Sequence, residues 1–184
     1  SIAVCGETFS GIETNLIDWE MTSSRPYDGL IGLAYFQGRR VTLDYRAGKA
    51  AVSARPIDYD ALGPEYIVLP LLHATEDGQG DLPFFEAAYG GEPICVYLDT
   101  GKNRSYLHDP EAPPVGPGLD ARDTADISIG GMDLTLGGIA RADLTQAEGL
   151  PYPTVIELNS DQIWSLDLVV TLDLIEGNIL FRKR

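Results

Sequence analysis

The chain has 184 residues, 44% of them hydrophobic, with a formal charge of −15 and a sequence pI of about 4.3. That is enough apolar material for one domain with a core, or for two small lobes packed together. The negative surface repels phosphate backbones and anionic lipid, which argues against nucleic-acid binding and electrostatic membrane docking.

No run of 18 apolar residues is present, so no membrane span is expected. No basic-then-apolar leader opens the chain, and "SIAVCGETF" reads as the middle of a strand. The 20 glycines and 12 prolines break the sequence into short strands with little helical periodicity, which predicts a mainly β fold.

In chain order, residues 2–9 and 12–19 read as a hairpin around Ser10-Gly11. Residues 23–29 read as a loop. "LIGLAYF" (30–36) begins as strand and continues as a short helix. Residues 39–53 form a hairpin, with Val41, Leu43 and Tyr45 alternating before a turn at Ala47-Gly48. Residues 54–65 are a connector, and 66–74 are a strong strand. Residues 75–81 are a polar turn, and "LPFFEAAYGGEP" is a short irregular strand with a Gly-Gly turn. "ICVYLDTGKNRSYL" (94–107) is an apolar strand that delivers Asp99 into a tight turn.

Residues 108–123 are rich in Pro and Gly and read as a long exposed loop, either a lid or a solvated segment. Residues 125–139 form a hairpin turning at Gly130-Gly131. Residues 168–184 form another.

Cys5 and Cys95 leave a disulfide and two free thiols both open, and their apolar contexts favour two inert buried thiols. His73 and His108 lie far apart, and no Cys/His cluster supports a metal site. No cofactor is expected.

One internal similarity stands out. "VTLDYRAG" (41–48) and "VTLDLIEG" (170–177) agree at five of eight positions at an offset of 129. "VCGETFSGI" (4–12) and "IGGMDLTLGGI" (129–139) follow in the same order at almost that offset. Two matches in register predict a duplicated unit, and Asp44 and Asp173, as repeated members of it, are read as structural.

"VYLDTG" (96–101), together with "YDGLIGLAYFQGRRVTLDYRAGK" (27–49) and its eroded counterpart "QIWSLDLVVTLDLIEGNI" (162–179), resembles the retropepsin-like aspartic proteases in their two-lobed bacterial form. The resemblance covers nearly the whole chain. It implies acid-protease-like β-barrel lobes: the remaining part of lobe one in 1–57, a connector in 58–64, and a complete lobe two in 65–184. It implies peptide-bond hydrolysis by two carboxylates that share one proton and activate a water, because like charges a few ångströms apart cannot both ionise.

Asp99 would be one of the two. Thr100 would bond across the lobe interface, and Gly101 would permit close backbone approach. Leu30-Ile31-Gly32 would be the supporting apolar-apolar-Gly element, matched in the second copy by Ile163-Trp164-Ser165 with the short helix lost.

Lys102 departs from the small residue usual after D-T-G, and no second D-T-G or D-S-G is present. The second aspartate would then come from an N-terminal segment of the same protein or from a second copy of the chain, with a peptide or protein as substrate. The alternative is a non-catalytic peptide-binding module on the same scaffold. Asp28 is read as a turn cap, Asp167 as structural, Tyr106 as packing, His108 as a loop residue, and Trp19 and Trp164 as core or interface residues. The resemblance leans towards a bacterial periplasmic or secreted location.

Overall fold

The computed structural model describes residues 2–10, 31–74, 82–101, 105–110, 123–141 and 149–184. Expectations for residues 12–19, Asp28, Leu30, the 75–81 turn, Lys102 and most of the 108–123 loop lie outside these.

The protein is mainly β and is built around a closed six-stranded barrel. The barrel strands are β6 (Phe84–Tyr89), β7 (Glu92–Asp99), β8 (Ser105–His108), β9 (Asp123–Ile129), β10 (Met132–Arg141) and β11 (Val155–Asn159). Their order is β6-β7-β11-β8-β10-β9, and β9 closes on β6 through Ala88 opposite Ser128 and Tyr89 opposite Ile127. Closure removes the free edges that an open sheet would leave exposed.

β11 inserts between the consecutive strands β7 and β8, parallel to the first and antiparallel to the second. "VIELN" was not anticipated as a strand.

The period of two along β7 sorts its side chains. Ile94, Val96 and Leu98 join the barrel core. Cys95 and Tyr97 face the other way, with Phe84 and Val155.

A second sheet runs in the order β4-β3-β12-β13-β5, from β3 (Arg40–Asp44), β4 (Lys49–Ser53), β5 (Tyr66–Leu72), β12 (Leu168–Asp173) and β13 (Asn178–Lys183). β5 joins it to the barrel. Tyr66–Pro70 pair with β13, and Leu71 and Leu72 pair with Phe85 and Phe84 of β6. Phe181 of β13 meets Phe85 of β6 with ring centroids 5.1 Å apart, and both are fully buried. Burying each such side chain contributes about 1.5–3 kcal/mol, so this pair anchors the sheet to the barrel.

The repeated octapeptides lie side by side. Thr42 stands opposite Thr171, Val41 opposite Leu172 and Leu43 opposite Val170. The two threonine hydroxyls are 2.9 Å apart. Each repeat aspartate closes its own hairpin. Asp44 Oδ1 accepts the Ala47 N–H at 2.9 Å, and Asp173 Oδ1 accepts those of Ile175 and Glu176 at 3.0 and 3.2 Å. The structural reading of both aspartates is thereby met.

Several expectations are corrected. Residues 2–9 are not one strand but a hairpin of their own, β1 (Ile2–Val4) and β2 (Glu7–Phe9), which turns at Cys5-Gly6, and the hairpin expected around Ser10-Gly11 with 12–19 lies outside the described residues. Cys5 at φ 52° and Gly6 at φ 84° adopt nearly the same turn as Gly130-Gly131, at 55° and 87°. Two consecutive positive φ angles suit the right-handed twist of a two-residue hairpin. This places Cys5 on the surface, so it is not a buried thiol; Cys95 is buried, and both are free.

Residues 84–89 form a regular strand, not an irregular one. His108 is a buried member of β8, not a loop residue. In 30–36 the described part holds no strand, only a 3-10 turn at Leu33–Phe36.

Candidate functional site

Asp99 is the last residue of β7, half-buried, and Thr100 and Gly101 follow it on the surface. The Asp99 Oδ1 accepts the Gly101 N–H at 3.0 Å, which folds the turn back on the carboxylate. Gly101 lies outside the left-handed region, and among the described residues a Cβ built on it would meet that oxygen alone, at 3.4 Å.

Two neighbours shape it. One is Asn159, which ends β11 directly beside Asp99 in the parallel register. Its buried side chain caps α1 (Ser160–Ser165) by accepting the Gln162 N–H at 2.9 Å. Asn followed three residues later by Gln is a helix-start signature, and it went unread in the sequence. The Gln162 amide in turn donates to the Gly137 carbonyl and ties the helix to β10.

Ile163-Trp164-Ser165 forms the end of α1, and between Ser165 and β12 there is no helix, as the expected loss of the short helix there has it. Ile163 is fully buried in the core, whereas the adjacent Trp164 is 51% exposed. Successive residues on a helix diverge by about 100°, so Ile163 can face the core while Trp164 faces outward. Trp164 is accordingly not a core residue.

The other neighbour is the turn of the β3–β4 hairpin. The Tyr45 hydroxyl lies near the Thr100 side chain. Burial raises the Tyr45 pKa above its ordinary value, and the nearby Thr100 side chain works against that rise. Arg46 lies over the Trp164 ring at 4.8 Å and reaches Asp167 at 3.9 Å. Asp167 also carries a positive φ at the end of α1, in keeping with a structural role. The D-T-G turn, α1 and the first-repeat hairpin thus gather at one end of β7. Tyr45 gave no sequence signal beyond its place after "VTLD".

Ile31 and Gly32 are exposed where the structure describes them, and Gly32 precedes the 3-10 turn at extended φ and ψ. They do not touch the Asp99 turn through any described bond. Tyr106 is half-buried in β8.

A cavity of about 510 Å³ lies between the 3-10 turn, β5 and the β12–β13 turn, and Asp99, Thr100 and Gly101 are not among its lining residues. Leu33, Leu71, Leu82 and Ile175 give it an apolar wall, and His73 and Glu176 also line it. Pro83 also lines it and accepts the Leu98 N–H at 3.1 Å, so its wall pairs with the residue before Asp99.

Below the cavity, the connector is clasped to the last hairpin. Arg40 donates to Asp173 at 2.9 Å, Tyr59 donates to the same oxygen at 2.6 Å, and Asn178 donates to the Tyr59 hydroxyl at 3.2 Å. Burial pushes the Asp173 carboxyl upward, but Tyr59, the two backbone amides and Arg40 outweigh it and hold the group below its ordinary value. Burial, then the bond to Asp173, pushes Tyr59 up to about 12.

Among the described residues, no group of three or more His, Cys, Asp or Glu side chains gathers as a metal site. No helix among them is long and apolar enough to cross a membrane. No family model matches the chain, and no curated protein sequence matches it either.

Proposed function

We propose that the chain is part of an aspartic-type endopeptidase, with Asp99 as one half of an aspartyl dyad. The observation that carries this reading is the placement of the D-T-G turn. An apolar barrel strand delivers the carboxylate to a turn whose Thr100 and Gly101 are exposed, and Thr100 lies near Tyr45 of the repeated hairpin. That is the arrangement expected if two lobes of one design meet at the turn.

The second carboxylate would be supplied by an N-terminal segment of the same protein or by a second copy of the chain. The pair shares one proton. The protonated partner polarises the peptide carbonyl while the ionised one takes a proton from the attacking water. The two titrate as a unit. The cavity beside β5 would receive an apolar side chain of a peptide substrate.

The test is peptidase activity of the natural protein against a peptide library, with and without Asp99→Asn. Loss of a general acid–base group predicts a fall of about 10²–10⁴-fold with folding intact. Unchanged cleavage in the variant would remove Asp99 from the chemistry.

A second reading, a non-catalytic peptide-binding module, is favoured by the ready-made cavity. It predicts that wild type and Asp99→Asn bind peptides alike and cleave none.

A further inference from the structure

We propose that the outer edge of β4, Lys49–Ser53, receives an antiparallel strand of alternating apolar residues like that of β5, carried by a separate polypeptide segment. Its identification with the segment that brings the second aspartate rests on the function proposed above. The strand pairing itself does not.

The argument begins at the paired threonines. Residues 42 and 171 are related by the repeat offset, and they face each other. Val41 faces Leu172 while its counterpart Val170 faces Leu43. Such self-complementary pairing is the mark of a local two-fold axis. The axis maps β3–β4 onto β12–β13.

What lies beyond differs. β13 carries β5 on its outer edge, whereas β4 ends the sheet among the described residues.

The directions of the backbone groups can be carried across. Leu71 N–H donates to the Gly177 carbonyl at 2.8 Å, and Pro70, which has no N–H, stands opposite Asn178. In an antiparallel ladder hydrogen-bonded and non-bonded pairs alternate, so Gly177, Ile179 and Phe181 turn their backbone groups towards β5. Their counterparts at offset 129 are Gly48, Ala50 and Val52. Ala50 and Val52 turn theirs to the outer edge, whereas the Gly48 N–H is taken up by the Tyr45 carbonyl at 3.2 Å. The Ala50 carbonyl does accept a bond from that side, from the exposed Cys5 thiol at 3.3 Å.

The same mapping sets the incoming side chains. Leu69 and Ile67 stand opposite Ile179 and Phe181. The newcomer therefore sets large apolar residues opposite Ala50 and Val52. Ala50 and Ala51 are small and exposed, which leaves room for them. Main-chain bonds then supply affinity and the alternate side chains supply register.

The 184-residue chain is titrated with a synthetic peptide of residues 65–73, and amide exchange is followed residue by residue. The Ala50 and Val52 amides are expected to slow by about tenfold or more as they become bonded. Labelling of the Cys5 thiol should slow with them. Ala50→Pro removes one outward donor, which edge strands tolerate. It should abolish both effects while the β3–β4 amides stay protected. Asp99→Asn should bind the peptide like the wild type, so a failure of the catalytic reading leaves this result standing. Unchanged exchange at Ala50 and Val52, equal protection in the proline variant, or a peptide-free dimer in which both amides are already protected would each overturn the proposal.

Discussion

The hairpin of β3 and β4 and the hairpin of β12 and β13 share five of eight residues around their turns, yet their second strands have opposite surroundings. Lys49, Ala50 and Ala51 of β4 are exposed, while Ile179, Leu180 and Phe181 of β13 are buried. The turns agree in detail: Gly48 and Gly177 have φ of 62° and 70°, and the aspartates four residues before them cap the returning chain. Local chemistry sets the hairpin, and neighbours set what it stabilises. β13 is sandwiched between β12 and β5 over the barrel core, whereas β4 has one strand beside it among the described residues.

The contrast breaks most visibly at the positions facing the core. Phe181→Ala removes a fully buried ring packed on Phe85 and should cost about 3–5 kcal/mol. Its counterpart Val52 is half-buried on the edge, and Val52→Ala should cost about 1 kcal/mol or less. Chemical denaturation of the two variants measures the ratio. Equal losses would show that β4 is as well covered as β13.

The aspartates should separate next. Asp173 is fully buried and bonded to Arg40, Tyr59 and two amides, and Asp173→Asn should cost about 2–3 kcal/mol. Asp44 has one amide and a 3.7 Å contact to the half-exposed Arg184. Asp44→Asn should cost about 1 kcal/mol or less, as exposed ion pairs contribute little.

The pH dependence follows the same asymmetry. Because folding lowers the Asp173 pKa, its stabilisation is present above the ordinary value of 3.8 and is lost as pH falls through the lower folded value. Tyr59 acts at the other limit. Its pKa is raised to about 12, so its contribution is present below 10.0 and is lost as pH rises towards 12. Denaturation midpoints measured across pH should flatten at the acid end in Asp173→Asn and at the alkaline end in Tyr59→Phe.

The hairpins were legible because alternation and glycine turns are local signals, and β3–β4, β9–β10 and β12–β13 fall where the pattern put them. β11 was missed because it pairs with β7 in parallel across a separation of about sixty residues, which no local period announces. Its burial on both faces, Glu157 and Asn159 included, also erases the alternation. α1 was missed because six residues are too short for a helical stripe, and only the Asn159 and Gln162 capping pair marks it. Asp99 could be read as a turn carboxylate from "YLDTG". Its neighbours Tyr45 and Asn159 could not, since they lie 54 and 60 residues away in sequence.

The smallest effect bears most directly on the two-fold pairing. Thr42 and Thr171 contribute one hydrogen bond between equivalent positions, with the hydroxyls 2.9 Å apart and both side chains partly buried. Thr42→Val leaves the Thr171 hydroxyl without this partner, and Thr171→Val does the converse. Each should cost about 1 kcal/mol, most of it from the hydroxyl left behind. The double variant removes both polar groups and keeps two β-branched side chains facing each other, which suits a strand pair. It should therefore be more stable than the sum of the single losses predicts, by a coupling of about 0.5–1 kcal/mol. If the axis passes between them, the two single losses should also agree with each other, although one threonine sits on the outer hairpin and the other on the inner one. Unequal single losses with no coupling would mean that each hydroxyl is satisfied from its own side and that the paired threonines do not hold the two hairpins together.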